Sequence, residues 1–161
     1  YRCVNFPGSW ELYSTAFEGE TVLDPFFFKD EHDQKWLFVN KQASLNAPVD
    51  CELHLFKVDS VKMNEITPHK QNPVILDSRS ARNGGSVFKY NSEYYRPSQN
   101  SSNGVYGKSV NICKILKLTI DEYREEMVKS IEPDFHAGLV ATHHLSQVNG
   151  SFVIDAAFKK L

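Results

Sequence analysis

Thr21-Val22-Leu23-Asp24-Pro25-Phe26-Phe27-Phe28-Lys29 is a run of β-branched and aromatic residues. The polar break Asp30-Glu31-His32-Asp33-Gln34 follows it, and then the apolar Trp36-Leu37-Phe38-Val39. Two strand-like runs around a break of turn residues predict a hairpin. The pattern returns twice. Gly84-Gly85-Ser86-Val87-Phe88 leads through a turn to Tyr94-Tyr95-Arg96-Pro97, and Thr142-His143-His144-Leu145-Ser146 leads through a turn to Phe152-Val153-Ile154-Asp155. The starts lie 60 residues apart (24 to 84) and then 58 (84 to 142).

More strand-like sequence fills the intervals. Glu52 to Val58 alternates, with Leu53 and Leu55 on one face and His54, Phe56 and Val58 on the other. Val110 to Leu118 alternates again. Ser86 to Tyr90 and Glu93 to Arg96 flank a tight turn at Asn91-Ser92. Ala141 to Ser146 and Ser151 to Phe158 flank Asn149-Gly150, the dipeptide that best supports a type I′ turn. Helix signals are sparse. Thr119 and Glu122 fit a capping box, which predicts one helical turn leading into a strand, with a full helix up to Pro133 as the alternative.

A repeat of about 60 residues holding three or four strands is the size of one propeller blade with generous loops. Such a unit cannot bury both faces alone and must stack on neighbours. The chain therefore reads as all-β, a single β-propeller fragment over residues 1–161 holding about two to three blades. A two-sheet sandwich is the competing architecture, because turn signals recur at suitable spacing. The long segments Asn40 to Asp50 and Asn64 to Asn83 fit it less well.

Composition narrows the function. At 161 residues the chain has the length of one domain and can bury roughly 70% of its unfolded surface. Lys plus Arg is 18 and Asp plus Glu is 20, a net charge of −2, which argues against nucleic acid as a partner. No apolar run is long enough for a transmembrane segment in this piece. Cys3, Cys51 and Cys113 stand far apart without a CxxC, so a zinc site is not indicated and free buried thiols are expected, one possible bridge aside. Tyr1 opens the chain without Met or a signal-like segment. The expectation is a piece of a longer polypeptide, with the rest of that polypeptide as its first partner.

Some stretches resemble known families. Asp24-Pro25-Phe26-Phe27-Phe28 followed by Trp36-Leu37-Phe38-Val39 resembles the hairpin of five-bladed propellers related to family 43 glycoside hydrolases. An ordered set looks like the N-terminal propeller of glucosamine inositolphosphorylceramide transferases. It comprises Asn72-Pro73-Val74, Ala81-Arg82-Asn83-Gly84-Gly85, Tyr95-Arg96-Pro97-Ser98-Gln99, Tyr106-Gly107, Tyr123 with Glu125, and His143-His144 ending at Val153-Ile154-Asp155. The resemblance runs from about Leu23 to Ala156, and its most specific part is Arg96-Pro97-Ser98-Gln99. It implies a five-bladed propeller and a protein of glycolipid glycosylation, in the Golgi lumen or secretory pathway if the source is eukaryotic. The domain that transfers the sugar lies outside this segment. Two sequons, Asn100-Ser101-Ser102 and Asn149-Gly150-Ser151, agree with a secretory route.

In a propeller, residues about 60 apart converge on one channel. Asp24 opens an apolar run, where a charge is costly unless it faces a cavity. It is the candidate catalytic carboxylate, as a general base or an acceptor for a sugar hydroxyl. A turn cap ahead of Pro25 is its structural alternative. Arg82, Arg96, Gln99 and His143 are the candidate substrate-binding residues. An Arg fork and a Gln amide suit a polar ligand, although Arg96 equally suits an inter-blade ion pair, Gln99 a loop cap and Arg82 a solvated loop. Gly84-Gly85 permits close backbone approach. His143 and His144 are adjacent and point to opposite faces if they lie on a strand. They do not make a metal set, even with His136, and no metal or cofactor is expected. Asp155, in the second strand of the third hairpin, suits a surface or turn role better than catalysis. Hydrolysis of a glycoside needs two carboxyl groups, and among Glu18, Asp77, Glu93 and Asp155 no second one stands in a matching motif.

The function expected is a carbohydrate- or glycolipid-headgroup-binding propeller module of a glycosyltransferase. The alternatives are an inverting hydrolase of the family 43 type with Asp24 as general base, and a non-catalytic interaction scaffold.

Overall fold

The computed structural model describes residues 1–159 and is built from β-strands, with a single 3-10 turn at Ser102–Gly104. Strands β1 (Arg2–Asn5) and β2 (Ser9–Glu11) form a small hairpin. Strands β3 (Val22–Lys29), β4 (Lys35–Lys41), β5 (Glu52–Val58) and β6 (Ile66–Pro68) follow as an antiparallel meander in that order. A short β7 (Ile75–Leu76) pairs with the other end of β5. A second meander takes β8 (Phe88–Tyr90), β9 (Glu93–Asn100), β10 (Ser109–Leu118) and β11 (Tyr123–Ile131), again in chain order. Then come β12 (Leu139–Ala141), the hairpin β13 (Leu145–Val148) with β14 (Ser151–Ile154), and β15 (Ala157–Phe158), which pairs with β12. The three predicted hairpins are thus β3–β4, β8–β9 and β13–β14. No sheet closes on itself among the described residues.

The turns explain the register. Asp30 Oδ1 accepts from the backbone N–H of His32 (2.9 Å) and of Gln34 (3.0 Å), and its Oδ2 accepts from Trp36 Nε1 (2.8 Å). One carboxylate therefore closes the first hairpin and fixes its tryptophan. Asn91 (φ 47°) with Ser92 (φ 65°), and Asn149 (φ 50°) with Gly150 (φ 81°), supply the left-handed pairs that a two-residue type I′ turn needs. Between β6 and β7 the ladder is continued by a side chain: Asn72 Oδ1 accepts from Leu55 N (2.9 Å) and Asn72 Nδ2 donates to Leu55 O (2.8 Å).

The capping-box expectation is corrected. Thr119 Oγ1 does accept from Glu122 N–H (3.0 Å), while Thr119 N–H donates to Glu122 O (2.9 Å). These bonds close the β10–β11 hairpin instead of starting a helix, and Tyr123 onward is strand. The Ala141–Ser146 strand is corrected too: it breaks at Thr142–His144 between β12 and β13.

Both faces of the first sheet are buried, as the alternation in β5 predicts. Trp36, Phe38, Leu53 and Leu55 face the second sheet and pack with Ile115 and Tyr123. Leu37, Val39, Phe56 and Val58 pack on the opposite face, against Phe17, Met63 and Ile66. The far face of the second sheet receives the third hairpin, where Phe88 meets Phe152 edge-on at 5.2 Å. The layers follow one another in chain order. Gly85 makes the last contact possible. At φ 141° a Cβ there would lie 2.0 Å from the Leu145 carbonyl oxygen. The close approach foreseen for Gly84-Gly85 is therefore to the chain itself, where Leu145 N–H donates to Gly84 O (2.7 Å).

The three cysteines are free. Only Cys113 is buried, while Cys3 and Cys51 are half-buried. Burial, and after it the nearby Glu125 carboxylate, pushes the Cys113 thiol up to about 11.

Between the two sheets lies Arg96, the largest fully buried side chain among the described residues at 0% exposure. Its Nε and Nη2 clasp Glu125 Oε2 (2.8 Å) and Oε1 (2.6 Å). Nη2 also donates to Ser80 O (2.7 Å) and Nη1 to Asn83 Oδ1 (3.3 Å). Glu125 additionally accepts from the Tyr123 hydroxyl. Burial alone would lower the Arg96 pKa, but the Glu125 carboxylate outweighs it and holds it above the usual value. A buried charge that loses its partner costs about 3–5 kcal/mol. Glu125→Gln should therefore lower the unfolding free energy in urea by about that amount. An unfolding curve superimposable on that of the parent chain would show that the pair is not needed.

Candidate functional site

One cleft of about 180 Å³ opens where the three hairpins meet. Asp24 and Phe26 reach it from β3, Asn83 and Gly85 from the connector before β8, Gln99 from β9, and His143 and His144 from the break before β13. Residues about 60 apart in sequence do converge.

Asp24 sits in a bulge, since the β3–β4 register shifts between Leu23 and Phe26, and its φ is 48°. A non-glycine residue in the left-handed region is uncommon and needs support from its surroundings. Here the support is visible: Asn83 Nδ2 donates to the Asp24 carbonyl (3.0 Å) and Arg82 Nε donates to Asp24 Oδ2 (2.8 Å). The carboxylate pairs with Arg82 and does not cap a turn. Arg82 is accordingly no solvated loop residue. Its guanidinium also lies over the Tyr106 ring at 5.0 Å.

Tyr106 continues the chain of contacts, tilted against the His143 ring at 5.1 Å. His143 Nδ1 pairs with Asp155 Oδ2. Asp155 Oδ1 accepts from the backbone N–H groups of His143 and His144, both at 2.8 Å, and Thr142 Oγ1 donates to the Asp155 carbonyl (2.8 Å). These bonds hold residues 142–144 out of strand geometry. Both histidines therefore line the same cleft, which corrects the expectation of opposite faces. Burial raises the Asp155 pKa. The two amides, then the His143 ring and the Thr142 hydroxyl, outweigh that and hold the carboxyl below its ordinary value.

Gln99 lies at the base of the cleft, its Nε2 donating to Asn83 O (2.8 Å). Its amide thereby ties down the connector before β8, the loop role that its structural alternative expected. Arg96 is the predicted site residue that does not belong. It is wholly buried and its donors are taken up by protein acceptors, so it supports the cleft through Asn83 instead of lining it. Two contributors escaped the sequence reading in these roles: Asn40 and Asn83. Asn40 Nδ2 donates to Glu52 O and Ala81 O (both 2.9 Å), and Asn40 Oδ1 accepts from Asn83 N–H (2.8 Å). The signal available was an Asn at the end of an otherwise apolar strand. Among the described residues no group of three or more His, Cys, Asp or Glu side chains is placed to hold a metal ion, and no helix is long and apolar enough to cross a membrane.

A family model described as glucosamine inositolphosphorylceramide transferase 1, N-terminal, matches residues 1–141. His143 and Asp155 lie beyond that match. The chain is 33% identical over 127 residues to glucosamine inositolphosphorylceramide transferase 1 of Oryza sativa subsp. japonica, covering 78% of this chain and 16% of that protein. It is 34% identical over the same length to the protein of that name from Arabidopsis thaliana, with the same shares. The chain thus spans about 16% of the length of the curated relatives it matches. No solved structure matches it.

A depressed carboxyl pKa contributes stability that is complete above the unfolded value, ordinarily 3.8 for Asp155, and is lost as the pH falls through the lower folded value. On acidification, the amide NMR resonances of His143 and His144 should shift together with a midpoint below 3.8. A midpoint at or above that value would contradict the amide clamp.

Proposed function

The chain belongs to the family of glucosamine inositolphosphorylceramide transferase N-terminal regions, matched over residues 1–141, and from this we propose that it is a carbohydrate- or glycolipid-headgroup-binding module of a glycosyltransferase. The observation that carries the proposal is the cleft shared by three hairpins. Asp24, Gln99 and His143 line it, and Arg82 and Tyr106 brace one side. A concave site with few fixed polar groups beside an aromatic ring is the usual form of a small-molecule site. The relatives carry glucosamine and inositolphosphorylceramide in their names, and a headgroup of that chemistry is the ligand proposed here.

The proposal extends to architecture and place. The two four-stranded meanders serve as consecutive blades of a five-bladed propeller, with β13–β14 beginning the next one, and the remainder of the polypeptide supplies the rest together with the transferase. The module works in the Golgi lumen or elsewhere on the secretory route, in keeping with a sequon at Asn149, exposed on a hairpin tip.

One observation favours a second reading, an inverting glycoside hydrolase: Asp24 holds a left-handed backbone conformation at the cleft. Inversion also needs a carboxyl group kept protonated as general acid. Asp155, the nearby carboxyl on the His143 side, is shifted the opposite way, toward the ionised form. Recognition without turnover is therefore the stronger proposal.

A glycan array paired with a panel of chromogenic glycosides separates the outcomes. Saturable binding without turnover, weakened about tenfold or more in Asp24→Asn, is expected. Turnover that Asp24→Asn abolishes would instead establish the hydrolase. Silence in both assays would leave an interaction scaffold.

A further inference from the structure

Gln99 is 3% exposed, and its amide is only half satisfied. Nε2 donates to the Asn83 carbonyl oxygen at 2.8 Å. A carbonyl only accepts, so this contact fixes which end of the amide is the NH2 group. Oε1 is then left buried with no donor. Buried acceptors are nearly always paired, so an unpaired one on a residue that lines a cleft asks for a donor from outside. The rest of the cleft asks for the same thing. Asp24, its lining carboxylate, is an acceptor. No Lys or Arg is among the described residues that line the cleft. The nearest cation, Arg82, is already neutralised by Asp24 and covered by Tyr106. His143 Nδ1 is already engaged by Asp155 Oδ2. Phosphate brings acceptors and negative charge, and finds no unpaired cation here. Space sets the other limit. About 180 Å³ is below the roughly 300–1,000 Å³ of sites for drug-sized ligands, so one ring fits and a chain of rings does not. Tyr106, 55% exposed, offers an aromatic edge beside it.

We infer that the cleft recognises a single neutral, hydroxyl-bearing ring, a polyol or one monosaccharide unit, through a hydroxyl donated to Gln99 Oε1, and that it discriminates against phosphate. The inference rests on the headgroup-binding function proposed above. Of a headgroup that carries both ring hydroxyls and a phosphodiester, the cleft takes the ring and leaves the phosphodiester outside.

Calorimetric titration of the protein with myo-inositol, methyl glucoside and inorganic phosphate, each alone, tests this directly. Saturable binding of at least one of the two neutral rings and none of phosphate at equal concentration is expected. Gln99→Met keeps the length of the side chain and removes the acceptor, and should weaken ring binding about tenfold. If that variant does not fold, Gln99→Asn, which withdraws the acceptor by one methylene, reads the same loss. Unchanged affinity in a folded variant overturns the role of Gln99. Saturable phosphate binding that competes with the ring overturns the discrimination, yet leaves a headgroup site in place. No saturable binding by any of the three, together with silence on the glycan array, overturns the headgroup-binding function itself.

Discussion

A guanidinium in a dry interior is tolerated only if its donors find acceptors and its charge finds a partner. Arg96 meets both demands with Glu125, Ser80 and Asn83, and the rest of the molecule is arranged around how it does so. Glu125 comes from a strand two places away in the same sheet, so the pair clamps β9 to β11 across β10. Ser80 and Asn83 come from the connector between the two meanders. Asn83 then passes the constraint on: its N–H goes to Asn40, its Nδ2 to the Asp24 carbonyl and its carbonyl to Gln99. Two sheets, their connector and the floor of the cleft are thereby one hydrogen-bonded unit. Beside it lies the apolar packing of Phe38 and Leu55 against Ile115 and Tyr123. It is non-directional, and the polar knot is what sets one sheet's position on the other.

Much of the fold was legible because turns and strand faces leave local marks. Asn149-Gly150 and Asn91-Ser92 announce left-handed pairs, and the alternation from Glu52 to Val58 announces a sheet buried on both sides. The spacing of Asp24, Gly84 and Thr142 was enough to place Asp24, Gln99 and His143 at one cleft. What failed did so for physical reasons. Thr119 and Glu122 make the hydrogen bond of a capping box, but a hairpin turn uses the same bond, so the motif does not choose between them. His143 and His144 were assigned strand geometry, which the Asp155 carboxylate overrides from eleven and twelve residues away in the chain. Arg96 was read as a ligand contact or an ion-pair partner, and the sequence did not decide between them because Glu125 is 29 residues distant and no local pattern links the two. Asn40 and Asn83 stood only at the ends of long connecting segments, and their role appears only when two sheets are brought together.

The cleft is organised by contacts within the protein before any ligand arrives. Asp24 is held by Arg82, Arg82 is covered by Tyr106, Tyr106 leans on His143, and His143 is fixed by Asp155. Side chains so restrained lose little freedom on binding, which favours recognition of a small rigid ring. The same restraint leaves the charges paired inward.

The claim that the polar knot joins the two sheets is tested most directly by a double-mutant cycle between Asn40→Ala in the first sheet and Arg96→Met in the second, read by denaturant unfolding. The two side chains share no hydrogen bond and are linked through Asn83. Coupling of about 1–3 kcal/mol is predicted for members of one network. Strictly additive losses would mean that each sheet is stabilised independently and that the knot does not join them.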